Sequence, residues 1–160
     1  MTITQREIDC ANGLFWDGWC GSDPYGPTKY MTDDVVMRDI AKHEAIVGHE
    51  AIANRWRHVA GRMRLPIEEL FVNEHGIVVL WFVYVQIADG EHAGKWAIGE
   101  GMSRLEFRDG KVCLEIDYWH GRQGMCDSWD EHFAARRALP RAARGFVSGA
   151  WVPGQPTGVS

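Results

Sequence analysis

The sequence predicts an α+β domain in which N-terminal helices cover one face of a strongly curved antiparallel sheet. Three observations carry this. Helical spacing of apolar residues is confined to the first sixty or so positions and one short stretch near 130. From Pro66 to His120 the pattern changes to apolar alternation broken by turn residues. Within that half, 96–107 and 111–119 read as two strands joined at Asp109-Gly110, a dipeptide whose tolerance of positive φ suits a tight hairpin.

Taken in order, Thr4 followed three residues later by Glu7 fits a capping box, and Ile8, Ala11, Phe15 and Trp19 recur at helical spacing, so a first helix is expected over 4–19. The run G-S-D-P-Y-G-P from Gly21 to Pro27 cannot continue it, and a loop without regular structure follows. Tyr30 to Asp39, with a β-branched centre, reads as a strand with Asp39 at its exit; a loop holding His43 comes next. Ile52, Trp56 and Val59 form one stripe, predicting a second helix over 48–60 that stops at Gly61. Strands are expected over 67–73 and 77–88 ahead of the hairpin. Ser128 and Glu131 make another capping box, opening a short helix that ends at Leu139 before Pro140. Residues 1–139 form one domain on this reading, and 140–160 a loose tail, a possible lid or dimer contact.

A chain of 160 residues is long enough for one core and no second globule. The net charge is −5 and no Lys/Arg stripe with interleaved aromatics runs through the body, which argues against nucleic acid as a partner. After Glu131 there is no acid, whereas Arg136, Arg137, Arg141 and Arg144 make that end basic, able to dock on its own acidic body. Four cysteines form no C-x-x-C pair and the N-terminus lacks a signal-peptide pattern, pointing to a reduced, cytoplasmic setting. The apolar run from Gly76 to Ile87 is about half the length a membrane span needs and reads as a buried strand, so no membrane is expected. Seven histidines show no metal-ligand spacing, and neither glycine-rich phosphate motif occurs. No metal and no cofactor is expected. The G-E-G of Gly99 to Gly101 marks a place where something approaches the backbone closely.

Side chains alternate across a sheet, so Gly99, Gly101, Ser103, Leu105 and Phe107 share a face that looks buried; on the next strand Cys113, Glu115, Asp117 and Trp119 share one. That sets two carboxyl groups among apolar neighbours, where the charged form is disfavoured and a proton can be held or taken near neutrality. Asp39 and Asp117 form an acid–base pair on this reading; the bland alternatives are a strand-end cap and a buried acid satisfied by backbone or an arginine. His43, four residues past Asp39, is either a proton shuttle or a solvated loop residue. Tyr30 offers a phenolic donor. Eight tryptophans suit either a well-filled core or a pocket for a flat apolar guest, with Trp16, Trp81 and Trp119 as walls. Tyr84 and Tyr118 fall on the opposite sheet face, a candidate dimer interface.

Three signatures in order, T-D-D-V-V-M-R-D ending at Asp39, G-H-E-A-I from Gly48 and F-R-D-G-K-V from Phe107, resemble the nuclear transport factor 2-like superfamily, in its SnoaL-like and ketosteroid-isomerase-like branch, over about residues 4–121. The resemblance implies a cone-shaped α+β barrel and a homodimer or higher homo-oligomer. It places Asp39 where ketosteroid isomerases keep their base, Asp117 where SnoaL-like cyclases and limonene-epoxide-hydrolase-like enzymes have an active-site aspartate, and Asp17 where scytalone dehydratase has a pocket aspartate. The oxyanion donors of ketosteroid isomerase would fall at Phe15 and Ser103, where neither donor is present, so steroid isomerisation is not expected. The activity implied is a cofactor-independent lyase or isomerase acting on a bulky hydrophobic molecule, aromatic or polyketide- or terpenoid-like. Asp39, Asp117, His43 and Tyr30 are its expected catalytic groups; Phe15, Trp16, Asp17, Trp56, Trp81, Ser103, Glu115 and Trp119 are its expected substrate contacts. An epoxide-hydrolase-like enzyme, a ligand carrier and the small subunit of a ring-hydroxylating oxygenase are the alternatives, since this fold hosts all of them.

Overall fold

The first helix, α1 (Gln5–Gly13), starts at the expected cap in the computed structural model, which describes residues 2–120 and 124–140. Glu7 reaches back to accept from the Thr4 backbone N–H at 2.9 Å and from the Thr4 hydroxyl. The helix does not run regularly to Trp19. Its last turn, Leu14–Gly18, is π-wide, with the Trp19 N–H donating to the Leu14 carbonyl at 2.8 Å. This extra residue turns Leu14, Phe15 and Trp19 inward and leaves Trp16 and Asp17 exposed. The proline-rich segment is also more regular than expected: Gly26–Tyr30 is a 3₁₀ turn, which tolerates Pro27 because the first turn of a helix needs no N–H from it.

Strand β1 (Met31–Asp39) is followed by β2 (Glu44–Val47), where a loop was expected. His43 takes a positive φ of 55° in the turn between them. Helix α2 (His49–Trp56) is shorter than its apolar stripe suggests. Then come β3 (Met63–Arg64), β4 (Ile67–Asn73), β5 (Gly76–Gln86), β6 (Trp96–Arg108), β7 (Lys111–His120), β8 (Met125–Cys126) and α3 (Trp129–Ala138). The β6–β7 hairpin turns at Asp109 and Gly110, with φ of 55° and 76°, the positive values this turn type demands.

Among the described residues the sheet runs β2-β1-β7-β6-β5-β3, with β4 also on β5 and β8 also on β6. One neighbour corrects the antiparallel expectation: β1 lies parallel to β7. Strand direction between partners about eighty positions apart is set by how the helices deliver β1 to the sheet, which alternation does not encode. The consequence is a row across three strands, because Asp39 pairs with Asp117 and Asp117 with Ser103. α1, the wide turn and α2 fill the concave side, where Leu14, Phe15, Met37, Ile52, Val79 and Leu105 form the core.

The convex side is not left open throughout. α3 lies over β5 and β6, with Trp129 and Phe133 packed on Phe82, Tyr84 and Ile98. Tyr84 is therefore fully buried by its own chain, bonded through its hydroxyl to His132 Nδ1 at 2.8 Å, and does not face a partner. Glu100, on the same face, pairs with Arg136 at 2.9 Å. One arginine of the basic C-terminal end thus does reach the acidic body. The segment 140–160, expected as a lid or dimer contact, lies outside the described residues apart from Pro140.

Candidate active site

The inward faces of β5, β6 and β7 and the ends of β1 and α2 enclose a cavity of about 170 Å³. Its lining is mostly apolar, from Trp19, Trp56, Trp81, Val83, Val85 and Trp119 among others, and the rings of Trp19 and Trp56 meet at 4.3 Å between centroids. Three carboxyl groups open into it, those of Asp39, Glu115 and Asp117. Asp39 and Asp117 are each 8% exposed and Glu115 1%.

Each acid is held differently. Trp81 Nε1–H donates to Ser103 Oγ at 2.8 Å, and the Ser103 hydroxyl donates in turn to Asp117 Oδ1 at 2.6 Å. Burial pushes the Asp117 carboxyl up to about 7, against the lowering effect of the Ser103 hydrogen bond and with a further push from Asp39. Glu115, two residues earlier on the same face, is raised well above the ordinary carboxyl range by burial and then by the neighbouring Asp117. Its Oε2 has no hydrogen-bond partner among the described residues, which is costly for a buried polar atom unless a guest completes it. Asp39 accepts from Trp119 Nε1–H at 2.8 Å and from the Lys42 backbone N–H at 3.2 Å; the Lys42 ammonium stands 4.0 Å from its other oxygen and 5.5 Å over the Trp119 ring. Arg55 also lines the cavity, with its Nε bonded to Glu44 at 3.0 Å.

Of the residues singled out in the sequence, the structure brings Asp39, Trp56, Trp81, Ser103, Glu115, Asp117 and Trp119 together around this cavity. It leaves five outside the lining. His43 is exposed in the β1–β2 turn, so it does not join Asp39 at the cavity. Tyr30 donates its hydroxyl to Asp17 at 2.8 Å, the two satisfying each other away from the site. Phe15 is core, and Trp16 is 54% exposed because the wide turn rotates it outward. Trp19, Lys42, Arg55, Val83 and Val85 were missed. Period-two alternation from Trp81 points to Val83 and Val85, and Lys42 sits three residues past Asp39; nothing in the sequence marks Trp19 as more than the end of a core stripe.

The G-E-G motif is explained by the same walls. A Cβ at Gly101 would come within 2.6 Å of both the Trp119 Cβ and the Trp81 ring, so only glycine lets the two indoles close on the strand. Among the described residues no group of three or more His, Cys, Asp or Glu side chains is arranged to hold a metal ion, and no helix is long and apolar enough to cross a membrane.

A curved sheet wrapped on helices, with carboxyl groups buried in its concave cavity, defines the cone-shaped α+β class of the nuclear transport factor 2-like superfamily. Within it the chain belongs to the SnoaL-like family, whose domain model matches residues 14–115. Comparison with curated proteins gives no match. Solved structures with the same fold include a putative ketosteroid isomerase from Kribbella flavida (TM-score 0.56, 21% identity, covering 75% of this chain and 82% of that one). An epoxide hydrolase of Mycobacterium tuberculosis of the LEH-like type is similar at TM-score 0.59 and 16% identity, covering 73% and 84%. TerC, crystallised with polyporic acid, is similar at TM-score 0.59 and 22% identity, covering 72% and 92%.

Proposed function

We propose that this protein is a cofactor-independent acid–base lyase or isomerase for a bulky hydrophobic small molecule, aromatic or polyketide- or terpenoid-like. The observation that carries the reading is one apolar cavity holding three carboxyl groups, two of them pushed by burial toward the neutral form. Asp117, poised near neutrality, is the proton carrier: its carboxylate takes a proton from a substrate carbon and returns it to another carbon in an isomerisation or to a departing hydroxyl in an elimination. Glu115 keeps its proton and donates a hydrogen bond, through the oxygen that lacks a protein partner, to the substrate oxygen where negative charge develops. Asp39, beside Lys42, is the second carboxylate of the pair, and Ser103 orients Asp117. Proton transfer of this kind contributes ~10²–10⁴-fold. The aromatic walls support an aromatic guest, and TerC, similar in fold, was crystallised with polyporic acid.

The test is a thermal-shift screen of aromatic, polyketide and terpenoid compounds, with mass analysis of each hit after incubation. A hit altered by the wild type and left intact by Asp117→Asn supports the reading. A hit that binds and stays unaltered assigns the protein to ligand carriage or to a subunit role. An altered hit that has gained water makes it an epoxide-hydrolase-like enzyme, in which Arg55 would have to leave Glu44 to serve the cavity. We further propose that two copies pair through the part of the convex sheet face beyond α3, where Met102 and Tyr118 are exposed.

A further inference from the structure

The acid chamber is too small for the whole of a bulky guest. About 150 Å³ of apolar cavity holds one benzene ring, so about 170 Å³ admits a single ring with small substituents. Next to it lies a groove of about 360 Å³, and Val83, Val85 and Trp119 line both spaces. Beyond that shared wall the groove runs over Ile87, Ala97 and the bare backbone of Gly99. Ala97 and Gly99 pair with Val85 and Val83 across the β5–β6 ladder, on the same concave face as Ser103. The two polar side chains of the lining direct their N–H groups at backbone carbonyls: Arg62 to Gln86 at 2.8 Å and to His58, and Gln86 to Gly94 at 3.5 Å. Apart from these two, the side chains lining the groove are apolar.

We infer that the substrate is two-part, a single ring seated in the acid chamber and an unbranched apolar arm lying in the Val83–Val85–Ala97 groove, with Ala97 and Ile87 setting the length of arm accepted. The inference rests on the acid–base reading for what happens to the ring, but the groove is tested by binding alone. A rigid multi-ring guest exceeds the acid chamber, and in the groove the bare backbone of Gly99 leaves open the room a side chain would take, since a Cβ there would press on Val83 Cγ1 at 2.8 Å. A flexible chain of methylenes can bend past the Val83, Val85 and Trp119 side chains common to both spaces and gains from each carbon it buries.

The probes are 4-alkylphenols from 4-methylphenol to 4-hexylphenol, titrated while following tryptophan fluorescence, since four indoles line the chamber. In the wild type, affinity is expected to rise about threefold to fourfold per added methylene. In Ala97→Leu the 4-methylphenol affinity is expected to hold within about twofold while the increments vanish. Should that variant melt early, Ile87→Ala removes groove wall without filling space, and the hexyl homologue is expected to lose about fivefold with 4-methylphenol unaffected. Asp117→Asn is expected to keep the increments, so loss of turnover there and loss of arm recognition are separate results. A wild-type series flat in chain length, no binding by any member, or increments that survive Ala97→Leu in a folded protein would each overturn the inference.

Discussion

Asp117 keeps its proton up to about pH 7 because burial disfavours its charged form, and that has a thermodynamic consequence. Its folded pKa of about 7 stands above the ordinary 3.8, so between those values the native state holds a proton that the unfolded chain has released. Stability from this group is therefore full at low pH, falls as pH rises through that window, and is level above it. Glu100, raised to about 7 by burial under α3, adds the same trend. Asp117→Asn removes the cost of ionisation and is expected to be more stable than wild type at pH 8 by roughly 2–4 kcal/mol, with little difference at pH 4, in urea unfolding at the two pH values. Glu115 tests a different property. If its neutral form donates to the substrate, Glu115→Gln retains a donor and loses about tenfold in turnover of a hit compound, whereas Glu115→Ala loses about 10²–10³-fold. Equal losses in the two variants would show that the donor is not what matters.

At the scale of elements, β6 carries the site on one face and supports α3 on the other. Gly101→Ala is expected to force the Trp81 and Trp119 rings off the strand and to destabilise by about 1–3 kcal/mol, with the Trp81–Ser103–Asp117 chain disrupted; thermal unfolding and the pH dependence of stability report both. The α3 contact shows an asymmetry that follows from who is buried. His132→Ala strands the fully buried Tyr84 hydroxyl and is expected to cost about 1–3 kcal/mol, while Tyr84→Phe leaves only a half-exposed imidazole that water can reach and costs about 1 kcal/mol or less. Denaturant titration of the two single variants separates them. The wide turn at Leu14–Gly18 is the element with most consequence for the site, because without it Trp19 would not stand against Trp56.

For the whole molecule, the proposed assembly rests on the exposed part of the convex face. Convex residues beyond α3 include Met102 and Tyr118, 36% and 44% exposed. If they bury each other in a pair, Met102→Lys with Tyr118→Lys is expected to convert a dimer to a folded monomer in sedimentation, with the cavity's ligand affinity kept. A wild type that already sediments as a monomer would sink the pairing proposal.

What could be read from the sequence was whatever short-range pattern encodes. Period-two alternation placed Gly101, Ser103 and Leu105 on the buried face of β6 and Glu115, Asp117 and Trp119 on that of β7, and the Asp-Gly turn marked the hairpin, whereas the register that pairs Ser103 with Asp117 comes from a bulge between Glu106 and Phe107 that alternation does not encode. Local capping chemistry marked the starts of α1 and α3. Tertiary structure alone decided the rest, since it depends on contacts between distant segments. The parallel docking of β1 on β7 brings Asp39 to Asp117, the wide turn directs Trp19 rather than Trp16 at the cavity, and α3 takes the convex face that Tyr84 occupies. A residue's side of a strand is a property of its neighbours in sequence; which carboxyl groups share one apolar-walled cavity is a property of the closed fold.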